Sequence, residues 1–258
     1  MRPMRLLPIA VLLLLQLAWL ALGKQTFTGK ATTYGLESPL GGSCSARMAP
    51  YGLNSSLFVA MNYDQYYESS SCSRCLSITG ERGTVTAFVA DLCYECGYGN
   101  LDLNTALWYT VVGGDPRISK ISWHFTPCPD EHEKFCWKEG SNPQWFALQV
   151  PNSRDGIKAM EINGVEGEII GVTSFYQVAP SDAIDLENVE VKITSNEGIT
   201  SKATLKSSDY SNCPMTDDST NSRGGTSGDT TTVITDTTGA TAHFTAWQAY
   251  RRRRVKFF

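Results

Sequence analysis

Two carboxylates stand eleven residues apart, Asp91 in Val89-Ala90-Asp91-Leu92-Cys93 and Asp102 in Leu101-Asp102-Leu103, each set among apolar residues like a short strand. A pair of acids in such a frame suggests chemistry at sugar bonds, where one carboxyl donates a proton and a second acts as base or nucleophile. The two acids read as lying on adjacent strands, which puts them on one wall of a groove. An inverting cut needs them about 6.5 to 9.5 Å apart on opposite sides of the bond, so the pattern favours gripping a sugar chain over severing it. Asp102 also fits an ordinary turn or capping role just ahead of Asn104. A second candidate is Trp145. In Trp145-Phe146-Ala147-Leu148-Gln149-Val150 the alternation places Phe146, Leu148 and Val150 on one face and Trp145, Ala147 and Gln149 on the other, which is expected to be wet. An exposed indole there offers a flat platform to the C–H face of a pyranose.

The spacing Cys72-x-x-Cys75 and Cys93-x-x-Cys96, with 17 residues between the pairs, matches a zinc ribbon. The leader argues for disulfides instead. Residues 1–23 carry Arg2 and Arg5, an apolar run and a small-residue exit Ala21-Leu22-Gly23, the form of a secretory signal peptide. An exported chain with eight cysteines is expected to pair them. The histidines, His124, His132 and His243, are scattered and suggest no metal triad or nucleophile–base pair. No cofactor or metal is expected. Asn54-Ser55-Ser56 is a glycosylation sequon.

These groups need elements to hold them. Short β-rich runs, Gly83 to Val89 and Ile118 to Phe125, are separated by Gly, Ser and Asn turns, with one helix expected from Asn104 to Val112 capped by Asn104. This predicts a compact β-barrel domain over residues 24–129. The strands Gly156 to Ile162, Gly167 to Val178 and Val189 to Thr194, joined by Asn163-Gly164 and Asn196-Glu197-Gly198, predict an antiparallel sandwich over residues 130–213. Residues 214–258 turn to Thr, Ser, Asp and Gly and end in Arg251-Arg252-Arg253-Arg254, a tail expected to lack order. Over residues 24–213 there are 14 lysines and arginines against 22 aspartates and glutamates. So acidic a body would not seek nucleic acid or a polyanionic polymer.

Taken together and in order, Gly29-Lys30-Ala31-Thr32-Thr33-Tyr34-Gly35, Gly41-Gly42-Ser43-Cys44, Ser71-Cys72-Ser73-Arg74-Cys75-Leu76-Ser77-Ile78, the two acid motifs, Pro127-Cys128-Pro129 and Trp137-Lys138-Glu139-Gly140-Ser141 ahead of Trp145 resemble the expansin and expansin-like family. The resemblance implies an all-β chain: a six-stranded double-psi β-barrel related to endoglucanases, then an immunoglobulin-like, cellulose-binding sandwich. It implies a secreted, monomeric wall protein that binds cellulose and associated β-glucans or xyloglucan and loosens their non-covalent contacts without hydrolysis.

By position, Thr32 and Asp102 look like the family's groove threonine and essential aspartate, and Asp91 like its second groove acid. Thr33, Tyr34, Tyr94, Lys138, Trp145 and a ring among Phe175 and Tyr176 look like sugar contacts. The expected disulfides are Cys44 with Cys72, Cys75 with Cys128, Cys93 with Cys96, and Cys136 with Cys213; a crossing of Cys93 and Cys96 with Cys75 and Cys128 is the alternative. Two departures stand out. Cys93 occupies the place of a bacterial groove tyrosine, and Gln144 that of an aromatic before Trp145, so the strip is shorter or borrows Trp137. In a hydrolytic relative the base comes from the segment equivalent to Thr32-Thr33-Tyr34, which holds no carboxylate here. An endo-β-1,4-glucanase, or a carbohydrate-binding effector without loosening activity, remains the alternative.

Overall fold

The computed structural model describes residues 25–67, 69–129, 133–209 and 213, together with 233–235 and 241–243. Six strands, β1 (Phe27–Tyr34), β2 (Phe58–Asn62), β3 (Cys75–Gly80), β4 (Gly83–Cys93), β5 (Leu101–Asn104) and β6 (Ser119–Thr126), close a barrel in the order β1-β5-β2-β4-β3-β6. β1/β5 and β2/β4 are parallel, and the other pairs are antiparallel. Alternation drives Val59, Met61, Leu101, Leu103 and Trp123 inward, where Trp108 of the helix α2 (Thr105–Val111) joins them. Asn104 caps α2 as the sequence predicts, its Oδ1 accepting from the Ala106 N–H at 2.8 Å. The short helix α1 (Tyr63–Tyr66) leaves the end of β2 and is capped by Asn62.

The second half packs two sheets face to face. One is β11 (Glu168–Ile169), β12 (Tyr176–Val178), β8 (Phe146–Gln149) and β7 (Cys136–Trp137); the other is β10 (Val165–Glu166), β9 (Ile157–Ile162), β13 (Val189–Ser195), β14 (Thr200–Leu205), β15 (Val233–Thr235) and β16 (Thr241–His243). Phe146, Leu148, Met160, Ile162, Val191 and Ile193 fill the space between them. The expected strand from Gly167 to Val178 is two strands, β11 and β12, paired antiparallel around Gly171, whose φ of +59° suits the turn between them. The tail was expected to lack order, yet Val233–Thr235 pairs antiparallel with β14 and Thr241–His243 pairs antiparallel with Val233–Thr235. The rest of residues 214–258, the basic terminus included, and the signal segment 1–23 lie outside the described residues.

Four disulfides tie the fold: Cys44–Cys72, Cys75–Cys128, Cys93–Cys96 and Cys136–Cys213. These are the pairs the resemblance implies, and they use both Cys-x-x-Cys motifs, so the zinc-ribbon spacing has no free thiols behind it. Among the described residues no group of three or more metal-ligating side chains gathers, and no helix is long and apolar enough to cross a membrane.

Barrel and sandwich are joined by polar contacts. Gln149 Oε1 accepts from the Arg47 N–H at 2.7 Å, and its Nε2 donates to the Ser45 carbonyl and to Ser174 Oγ. Tyr66 OH donates to the Val172 carbonyl at 2.5 Å, and Asn152 Oδ1 accepts from the Tyr51 N–H. This overturns part of the alternation argument for β8. The face carrying Ala147 and Gln149 is fully buried, because the barrel covers it and satisfies the Gln149 amide.

Candidate functional site

Register brings the two acids together. Thr32 of β1 pairs with Asp102 of β5, Asp102 pairs with Ala60 of β2, and Ala60 pairs with Asp91 of β4. The acids are therefore not on adjacent strands: β2 lies between them, and two inter-strand steps separate their Cα atoms by about 10 Å. A register shift at Val59/Ala60 decides which way Asp91 points. Simple alternation from Val89, which faces the barrel core, would turn Asp91 inward; the bulge leaves Ala90 and Asp91 both outside and returns Leu92 to the core. Thr32, Asp102, Ala60 and Asp91 thus form one row on the barrel's outer face. Ala60, the smallest of the four, sets its lowest point.

Neighbours fix the row. Thr32 Oγ1 donates to Asp102 Oδ1 at 2.7 Å. Asp91 Oδ1 accepts the N–H groups of Ser43 and Leu92, at 2.7 and 2.8 Å. The Ser43 contact depends on Gly42, since a Cβ there would stand 2.4 Å from the Ala90 carbonyl oxygen. Partial burial, helped by the charges of Glu95 and Asp91, raises the Asp102 pKa against the lowering effect of the Thr32 hydrogen bond. Tyr34 walls the row with its ring edge-on to Phe58. Burial, then the charges of Asp91 and Asp102, push its phenol far up, so it stays protonated. Its hydroxyl oxygen is closed off from solvent and makes no hydrogen bond of ordinary geometry. The hydroxyl that the sequence suggested as a sugar contact is thus under cover beside Asp91. Thr33 faces away from the row, its hydroxyl donating to the Leu103 carbonyl at 2.9 Å, so it too drops out of the expected contact set.

On the sandwich, Trp145 is partly exposed, its Nε1 donating to Gln177 Oε1 at 3.0 Å. Phe175 and Tyr176, expected to supply a further platform, are both buried. Tyr176 sits in the sandwich core and donates its hydroxyl to the Ile157 carbonyl, while Phe175 lies beneath the Lys138 ammonium at 5.6 Å. Trp137 packs against the sandwich core instead of widening the strip. Lys138 stands on the sandwich above Phe175, whose neighbour Ser174 bonds the Cys44 carbonyl next to Ser43. Tyr94 is exposed beside the barrel row, and Asn54 is exposed in the loop before β2.

No protein-family model matches the sequence. The chain is 25% identical over 146 residues to Expansin-like protein 1 of Dictyostelium discoideum, a match covering 52% of this chain and 50% of the relative. The crystal structure of apo expansin from Clavibacter michiganensis is similar at 27% identity with a TM-score of 0.59, over 70% of this chain and 91% of that one. An Asp-to-Asn variant of that expansin, solved in complex with cellohexaose, is similar at 26% identity with a TM-score of 0.58 over the same shares.

In sequence and in fold the chain is similar to expansins. It spans about half the length of the curated relative it matches. The sequence reading missed Ala60 and Ser43. Ala60 and Ser43 carry no chemical signal of their own, and only register and the Gly42 approach bring them to the acids.

Proposed function

We propose that this chain is a secreted protein that binds cellulose and associated β-glucans, xyloglucan among them, and loosens walls by breaking non-covalent contacts between chains. Residues 1–23 act as a signal peptide, and residues 24–129 and 130–213 work as barrel and sandwich of a monomer. Asn54 is exposed as a glycan acceptor would need to be. The observation that carries the reading is the outer row Thr32–Asp102–Ala60–Asp91, a shallow polar trough with a small residue at its lowest point. Asp102, with one oxygen taken by Thr32, keeps the other for sugar hydroxyls, and charge-assisted bonds of this kind contribute about 1.5 to 3 kcal/mol. Trp145 adds an apolar platform on the second domain. Exchanging glucan–glucan hydrogen bonds for protein–glucan ones lets neighbouring polymers slip.

An endoglucanase is the second reading, favoured by the two acids flanking Ala60 and by the raised pKa of Asp102, which suits a proton donor. Against it, Asp91 Oδ1 is already held by two main-chain N–H groups, and the partner of Asp102 across β1 is a hydroxyl. The test is wall creep measured beside release of reducing ends from soluble glucan, on the purified chain and its Asp102→Asn variant. Creep without new ends, lowered several-fold by Asp102→Asn, is the expected result. New ends that vanish in that variant would establish the glucanase. Covering ~100 Å² of the Trp145 ring is worth roughly 2.5 kcal/mol before ordering costs. Trp145→Ala should therefore weaken cellulose retention about tenfold, a net loss of ~1.4 kcal/mol, and unchanged retention would remove the indole from the binding surface.

A further inference from the structure

Asp91 is held in the acid row by a turn that belongs to none of the barrel's strands. Ser43, whose N–H donates to Asp91 Oδ1 at 2.7 Å, lies in a turn closed by the Ser45 N–H, which donates to the Gly42 carbonyl at 2.8 Å. Ser45 takes a φ of +50° there, a backbone state that a residue other than glycine keeps only when its surroundings impose it. From the barrel side, the Cys44 N–H donates to the Ala90 carbonyl at 3.1 Å.

The sandwich supplies the rest. From the turn between β11 and β12, Ser174 donates twice to the Cys44 carbonyl, from its N–H at 3.0 Å and from Oγ at 2.9 Å. In the same turn the Val172 carbonyl accepts from Tyr66 OH at 2.5 Å, and that hydroxyl also lies 3.0 Å from Cys72 Sγ and 3.4 Å from Cys44 Sγ. Burial pushes the Tyr66 phenol up, so it stays protonated and able to donate. The reaching turn is itself closed, with the Ile170 N–H on the Phe175 carbonyl at 3.0 Å and the Thr173 N–H and Oγ1 on the Ile170 carbonyl at 3.0 and 2.8 Å. Cys44 is thus gripped at its carbonyl and beside its disulfide by one turn of the other domain, and it directly follows the residue that holds Asp91.

We propose that Ser174 and Tyr66 are positioning residues for the trough: by fixing Cys44 they keep the Ser43 N–H on Asp91, so the grip of the acid row on a glucan depends on the docked sandwich. The inference rests on the glucan reading above and deepens it. Ser174→Ala removes one of the two bonds on the Cys44 carbonyl, and Tyr66→Phe leaves the Val172 carbonyl without its donor. Both substitutions spare the acids, the disulfides and the strand ladders.

The experiment uses the whole chain as wild type, Ser174→Ala, Ser174→Thr, Tyr66→Phe and Asp102→Asn, with thermal unfolding as the check that each is folded. Amide hydrogen exchange is read at Ser43 and, as internal reference, at Leu101 and Leu103 of β5, and cellohexaose affinity is read by calorimetric titration. Ser43 should exchange about 10-fold faster in Ser174→Ala and in Tyr66→Phe while the β5 amides hold their rates. Cellohexaose should bind each of the two about threefold more weakly, the worth of one net hydrogen bond. Ser174→Thr, which keeps the hydroxyl, should restore both readings. If one of the two variants does not fold, the other carries the test alone. Unchanged Ser43 exchange overturns the proposal, and so does faster exchange with wild-type affinity. A wild-type chain that leaves cellohexaose unbound overturns the glucan reading, and the hold on Asp91 then stands or falls on Ser43 exchange alone.

Discussion

Replacing Gln149 by Leu should loosen the union of the two domains. The Gln149 side chain has no exposed surface and makes three hydrogen bonds across the junction, to the Arg47 N–H, the Ser45 carbonyl and Ser174 Oγ. Leucine nearly matches the volume but answers none of them. Ser174 Oγ keeps a partner in the Cys44 carbonyl at 2.9 Å, so its loss is small. The Arg47 N–H and Ser45 carbonyl are left partly buried and unmet, at about 1 to 2 kcal/mol each at that exposure. The total, about 2 to 4 kcal/mol, corresponds to a fall of roughly 5 to 15 °C in Tm for a unit of this size. Calorimetry and urea unfolding should show this fall. Because the lost contacts lie at the junction, barrel and sandwich should also begin to melt as separate transitions. A Gln149→Leu protein with wild-type Tm would refute the claim that the buried face of β8 is held to the barrel by this amide.

Two further outcomes are expected. Asp102 has a raised pKa in the fold, so its contribution to stability is full below the ordinary aspartate value of 3.8 and is lost as pH rises through its folded value. Urea midpoints across that window should therefore show Asp102→Asn gaining on wild type as pH rises and then levelling, and a gap that closes with rising pH would contradict the burial argument. The disulfides should differ in worth by the loops they close, with sequence separations of 3 for Cys93–Cys96 and 77 for Cys136–Cys213. Chain entropy assigns about 2 kcal/mol to the first and about 4.5 kcal/mol to the second. Unfolding of the paired Cys→Ser variants should follow that order, and equal losses would point away from an entropic origin.

Local chemistry made legible in the sequence the capping Asn104 and its helix, the alternation that fills both cores, and the barrel-then-sandwich order. The cysteine pairs came from the family resemblance, since spacing alone also allowed a metal ribbon. Tertiary structure decided which faces see water. Alternation states which residues share a side of a strand, but not whether another layer covers that side. Hence Gln149, Phe175 and Tyr176 went under cover, while Tyr63 and Tyr94 stayed outside. It also decided the neighbours of the acids, because the barrel's strand order inserts β2 between β4 and β5, and a single bulge at Val59/Ala60 turns Asp91 outward. Pairing between distant segments is set by the summed burial of a whole barrel, and no short stretch of sequence carries that sum.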